Sequence, residues 1–277
     1  MTCGSELARV AYASASAITA DLVPYHRRGR TMGAFTAGMY LAVPIGMPIA
    51  VLLAQHGHWS WIFFVQAAFA GVGTLCAVMA VPRDGGSGAW VAPWHMLRRG
   101  PVLAALLAVA LHNGSFFVVV QLASGWLDGT QILPKEHQIR LWVALGLAGA
   151  LGSFGLGRLS DRLGKRNFVL ASSIVLLVCF WLVDARLDRG WLLLLGAVLS
   201  VTAAARTGPL QALTSGLVPS YELGTLMGLR SFAMQAGCTA FAVVATNLSG
   251  FGAVLTAAAV CQALTYAVVR LGVREGG

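Results

Sequence analysis

The chain predicts an all-α, polytopic membrane protein of about nine transmembrane helices, on three observations. Its 277 residues are 57% hydrophobic and only 10% charged, with a mean hydropathy of +0.75. That is too apolar for a soluble domain of this size. Apolar runs of about 20 residues, the length of helix that crosses a bilayer, recur along the whole chain. The 19 lysines and arginines outnumber the 10 acids, but they gather in short stretches between the apolar runs. This is the topology pattern of a membrane protein, and it argues against nucleic acid as a partner.

Spans are expected over roughly 6–22, 33–54, 60–81, 102–125, 141–157, 168–185, 191–213, 225–247 and 251–270. The first ends at Asp21, ahead of the basic stretch Arg27, Arg28 and Arg30. The second contains Gly38, Pro44, Gly46 and Pro48, small or helix-bending residues that permit close packing. His56, His58, Trp59 and Trp61 separate it from the third and suit an interfacial aromatic belt. Pro82 to Gly100 then carries Gly85, Gly86, Gly88 and two prolines, and reads as a boundary between bundles. Within it, Trp90, Trp94 and Met96 precede Arg98 and Arg99. Those residues suit an interface-lying segment or a plain flexible linker. In the fifth span, Gly146, Gly149, Gly152 and Gly155 recur every three residues, a packing seam more than a ligand site. Four of the five cysteines lie inside apolar runs and none is paired at metal-ligand spacing, so neither a metal site nor a disulfide framework is expected.

The cations set an orientation. Arg27, Arg28, Arg30, Arg83, Arg98, Arg99, Arg158, Arg162, Lys165, Arg166, Arg230, Arg270 and Arg274 fall on one side, and Lys135, Arg140, Arg186 and Arg189 on the other. The rich side is expected to be cytoplasmic, the C-terminus included. The chain also repeats itself. Leu22-Val-Pro-Tyr-His-Arg-Arg-Gly-Arg-Thr-Met-Gly33 aligns with Leu217-Val-Pro-Ser-Tyr-Glu-Leu-Gly-Thr-Leu-Met-Gly228, six of twelve positions matching at an offset of 195. Chance similarity of two interfacial turns is the competing explanation.

The most charged short stretch is Gly157-Arg-Leu-Ser-Asp161-Arg162-Leu-Gly164-Lys165-Arg166-Asn167. It is expected as a tight loop, with Gly157 and Gly164 in the turn positions. Its pattern, G-x-L-x-D-R-x-G-K-R, resembles the signature loop of the major facilitator superfamily (MFS) of transporters. The resemblance implies MFS-type helical bundles in two parallel six-helix halves, which would produce the internal repeat. It divides the chain into a partial N-terminal bundle (1–81, family helices four to six), a cytoplasmic link (82–100) and a C-terminal six-helix bundle (101–277). On this reading the first three helices are missing. A truncated gene model, a fragment or a split gene would explain that, as would a natural nine-helix form.

Several residues become candidates. Leu7-Ala-Arg9-Val-Ala-Tyr-Ala13 is similar to the family's fourth-helix motif, L-x-R-x-x-x-G, whose arginine is tied to coupling in proton-linked members. Arg206, near the repeat counterpart of Arg9, is expected beside a helix break at Pro209, where freed carbonyls would hold it. A cation inside a span normally faces a cavity or a partner. His112 can titrate near neutral pH, though a buried histidine is more often a satisfied hydrogen-bond donor. Asn113 and Gln121 are placed on one helix face. Arg9, His112, Asn113, Gln121 and Arg206 are thus the substrate or coupling candidates. By resemblance, Gly157, Asp161, Arg162, Gly164, Lys165 and Arg166 form a gating loop in which Asp161 faces a helix N-terminus of the other bundle, near Gly33.

The expectation is a secondary active transporter of small molecules working by alternating access, with protons as a candidate coupling ion, in a cell membrane of the bacterial inner-membrane type. No G-x-x-x-x-G-K-[ST] loop is present, no cofactor is called for and no paired catalytic groups point to an enzyme. The alternatives are an inactive remnant, or a non-transporting subunit that depends on a second chain for three further helices.

Overall fold

The structure is a computed structural model that describes residues 14–55, 60–80, 92–130, 132–185 and 189–273. The described residues are helical, with no strand among them. In order they are α1 (residues 14–22), α2 (Tyr25–Gln55), α3 (Trp61–Ala80), the short α4 (Pro93–Leu97), α5 (Gly100–Thr130), α6 (Lys135–Leu163), α7 (Lys165–Ala185), α8 (Arg189–Ser215), a 3-10 turn (Ser220–Glu222), α9 (Leu223–Thr246) and α10 (Phe251–Gly272). Over the described residues, every expected span coincides with a helix. Five of them, in α5, α6, α7, α8 and α10, are long and apolar enough to cross a membrane. Arg9, with its motif from Leu7 to Ala13, lies outside the described residues, as do His56, His58, Trp59 and Trp90.

Prolines stand where helices start: Pro24 before α2, Pro93 at the head of α4 and Pro134 before α6. There the missing N–H has no intrahelical partner to lose. Inside helices, hydroxyls are satisfied by the preceding turn, as in Thr36 to the Met32 carbonyl (2.8 Å), Thr214 to Leu210 (2.7 Å) and Thr265 to Cys261 (2.7 Å). No water-exposed alternative exists in lipid.

Two expectations need correction. The charged stretch is not a loop from end to end: α6 continues through Leu163, and a single residue, Gly164 at φ 86°, breaks the chain before α7. Only a residue without Cβ holds that conformation at no steric cost. Arg230 is not a loop cation but a fully buried residue of α9.

α2 packs on α6 and α8, α5 on α9 and α10, and α7 on α8 and α10. The contacts are close because glycines face backbone. A Cβ on Gly33 would lie 2.7 Å from the Ser153 carbonyl, and one on Gly208 2.6 Å from the Gly33 nitrogen. Where lipid removes the hydrophobic drive, such close approach is what holds helices together. Gly149 and Gly152 of the three-residue seam likewise face Ser200 and Val201 of α8. α3 touches α2 lightly and leaves Phe64, Phe69 and Met79 largely exposed.

The bundle α5–α10 is layered along its depth. One apolar layer holds Ala105, Val109, Val169, Leu213 and Val269, and the other Phe116, Leu176, Phe180, Val254 and Leu255. Between them lies a buried polar layer: His112 and Ser115 of α5, Ser173 of α7, Arg206 of α8 and Gln262 of α10.

Candidate functional site

Two places gather chemistry. The first is the cation-rich end. Gly29 of α2 lacks a side chain, and a Cβ there would lie 2.5 Å from the Asp161 carboxylate. α6 can therefore lay Asp161 against the backbone of α2. Oδ1 accepts the Gly29 N–H at 3.1 Å and Oδ2 the Arg30 N–H at 2.9 Å. Lys165 Nζ stands 3.1 Å from Oδ1 and also sits over the Tyr25 ring, 4.3 Å from its centroid. Arg28 covers the same ring, donating through Nε to the Val23 carbonyl (2.9 Å) and through Nη1 to Ser215 Oγ (3.4 Å). The carboxylate thus meets two backbone donors near a helix start and one ammonium, all favourable to its charge. The two copies of the repeat, around Pro24 and Pro219, lie at this same end, where Tyr25 abuts Gly216. Beside them Arg99 holds the buried Glu222 with two bonds, Nη2 to Oε1 at 2.9 Å among them, and that pairing raises the Arg99 pKa further above its ordinary value.

The second place is a cavity of about 230 Å³ in the opposite half of the bundle, among α2, α5, α6, α7, α8 and α10. Tyr40, Phe117, Trp126, Trp142, Phe180 and Phe251 supply an aromatic wall, with Trp126 stacked on Phe251 at 4.8 Å. Its polar lining residue Ser200 is turned to the Leu145 carbonyl at 2.6 Å. Below the cavity lies the polar layer. Phe116 lines the cavity and stacks on His112, ring centroids 6.3 Å apart. Arg206 Nη1 donates to Gln262 Oε1 at 2.7 Å, and Gln262 Nε2 donates to Ser115 Oγ at 2.8 Å.

One end of the bundle is thus closed by the Asp161 carboxylate on α2, and a cavity lies in the other half beyond a buried polar layer. Comparison with known proteins bears on the family. A family model, Major Facilitator Superfamily, matches residues 7–242 and again 131–274. The chain belongs to the Major Facilitator Superfamily. The "Probable sugar efflux transporter" of Helicobacter pylori (strain G27) is 28% identical over 172 residues, 58% of this chain and 42% of that protein. The "Inner membrane transport protein YdhP" of Escherichia coli K12 is 26% identical over 177 residues, 63% of this chain and 45% of that one. The chain thus spans less than half the length of these MFS relatives. In fold it is similar to the crystal structure of the human organic anion transporter MFSD10 (TETRAN), with a TM-score of 0.72 at 19% identity, covering 93% of this chain and 67% of that one. The chain is accordingly a multi-pass membrane protein of MFS fold.

Within this MFS frame the expected site residues separate. Asp161, Lys165 and Gly157 converge on α2, whereas Arg162 is exposed and Arg166 turns to the Arg270 carbonyl at 2.7 Å. Asp161 reaches α2 at Gly29 and Arg30 because that helix begins at Tyr25, eight residues before the expected start. His112 and Arg206 share the polar layer. Arg206 is not held at a broken helix: α8 runs unbroken past Pro209 and Gln262 is its partner. Asn113 is buried, but its amide donates to the Val109 carbonyl at 2.8 Å. Gln121 is exposed, because eight residues of helix leave an offset of about 80°, enough to turn it off the buried face. Sequence reasoning missed Tyr25, Gly29 and the aromatic wall. Tyr25 and Gly29 stood inside the repeat, but aromatics in a hydrophobic span carry no mark of which face they line.

Proposed function

We propose that this chain acts in secondary transport of small molecules by alternating access, with the cation-rich end cytoplasmic. The observation that carries the reading is the pairing of a shut latch, Asp161 on the N–H groups of Gly29 and Arg30, with a cavity in the other half of the bundle. Breaking the latch would let α2 swing from α6 and open the interior at the latch end. Protons are kept as the candidate coupling ion on the match of Arg9 to the coupling arginine of proton-linked members. The sugar efflux named for the Helicobacter relative is disfavoured for this chain. A cavity walled by aromatics, with its serine already bonded, offers a sugar few hydrogen-bond partners.

The test needs no substrate. A cysteine replacing Gly196, which lines the cavity, is exposed to a membrane-impermeant maleimide in oriented vesicles. Labelling is expected from the side opposite the latch, and Asp161→Asn should shift it to the latch side. Labelling unchanged by Asp161→Asn would overturn alternating access.

A second reading is favoured by α3, whose Phe64, Phe69 and Met79 are exposed along an apolar helix. On this reading further helices, supplied by a second chain, cover that face. Co-purification of a helical membrane partner that Phe64→Glu abolishes would support it.

A further inference from the structure

The polar layer holds a charge that no acid of the described residues balances. Arg206 is fully buried, and its Nη1 is taken by Gln262. Nε and Nη2, the two donors along the other edge of the guanidinium, are buried without a hydrogen-bond partner. That edge presents two parallel N–H groups, the spacing that matches the two oxygens of a carboxylate. His112 Nδ1 is also buried and unpartnered, and Arg230, buried on α9, lies within electrostatic reach of His112. A cluster this positive in low dielectric is costly unless a counter-charge joins it.

The layer lies next to the cavity, about one to two helical turns from its lining. Three cavity-lining positions lead down to it: Phe116 to His112 on α5, Ser200 to Arg206 on α8 and Leu255 to Gln262 on α10. These are steps of about 6–10 Å along the helices. Phe116 lines the cavity and stacks on His112, and so stands as the partition between cavity and layer.

We propose that Arg206 is the receptor for the carboxylate of an amphipathic organic anion whose apolar body occupies the aromatic cavity. This deepens the transport reading and rests on it. A ligand with a short methylene chain spans the step of about 6–10 Å from Arg206 past Phe116 into the cavity. The empty site carries an uncompensated charge, so Arg206 opposes the stability of the ligand-free protein, and the bound carboxylate relieves it.

The full chain in lipid nanodiscs is tested with 4-phenylbutyrate, its neutral analogue 4-phenylbutanol, and acetate, reading binding and melting temperature from tryptophan fluorescence. Phenylbutyrate is expected to raise the melting temperature and to bind at least about tenfold tighter than the alcohol or acetate. Arg206→Met is expected to raise the ligand-free melting temperature, remove that preference and leave the alcohol's affinity within about twofold, since the alcohol has no charge to pair. Arg206→Lys, which keeps the charge without the fork, should recover only part of the preference. A lowered ligand-free melting temperature in Arg206→Met, equal binding of acid and alcohol, or no binding of either overturns the proposal. Acetate binding as tightly as phenylbutyrate overturns the amphipathic ligand and leaves a free small anion. Maleimide labelling at residue 196 separates the two readings. Arg206-dependent binding without alternation sinks transport alone, and alternation without Arg206-dependent binding sinks the receptor alone.

Discussion

Asp161→Asn is the sharpest perturbation of the latch because it changes charge and leaves shape. The carboxylate side chain is 15% exposed and accepts two backbone N–H groups beside the Lys165 ammonium. A hydrogen bond to a charged acceptor contributes about 1.5–3 kcal/mol, and one between neutral groups about 0.5–1.5 kcal/mol. The asparagine oxygen keeps one N–H bond at neutral strength. The other N–H loses its acceptor, and Lys165 loses its ion pair with the carboxylate. Together these weaken the closed latch by about 3–4 kcal/mol, or about two to three powers of ten in the closed-to-open ratio. Spin labels on His26 and Leu163, both exposed at the cation-rich end, report the α2–α6 separation in a cysteine-free background. The parent protein should give one short distance and Asp161→Asn a second, longer population. An unchanged distribution would show that the N–H contacts do not hold the two helices together.

Three further outcomes follow from the packing. Gly29→Ala should also open the latch, because its methyl group would stand 2.5 Å from Asp161 Oδ1. Alanine is the better helix former by about 1 kcal/mol, so a longer spin-label distance would separate steric loss from helix propensity. Gly237→Ala drives its methyl into the Ala110 backbone and forces α5 from α9. A loss of about 1–3 kcal/mol is expected, read as a lower melting temperature. Glu222→Ala frees Arg99 at the α4–α5 junction. Limited trypsin digestion should then cut faster after Arg98 and Arg99, and an unchanged rate would show that the pair does not anchor the junction.

Much of this was legible in the chain. The helical spans of the described residues, the Gly164 turn and the meeting of Asp161 with the second span are all local matters of hydropathy, spacing and motif. The errors were of reach and phase. A charged run reads as loop, yet α6 carries it as helix to Leu163 because only Gly164 breaks the backbone. Arg230 reads as a loop cation because it lies seven residues past the start of its helix, where sequence alone does not fix depth. Gln121 and Asn113 part company over an angular offset that accumulates with every turn.

The sequence by itself determined that the chain is a helical membrane protein, where its spans fall and which end is cationic, because these depend on the composition of contiguous residues. Tertiary structure alone decided that Tyr25 lies under Lys165, that six aromatics from five helices wall one cavity, and that Arg206 is left with one edge unbonded. Those facts depend on how helices distant in sequence rotate and approach one another. The glycines that set the approach look alike until their neighbours are known.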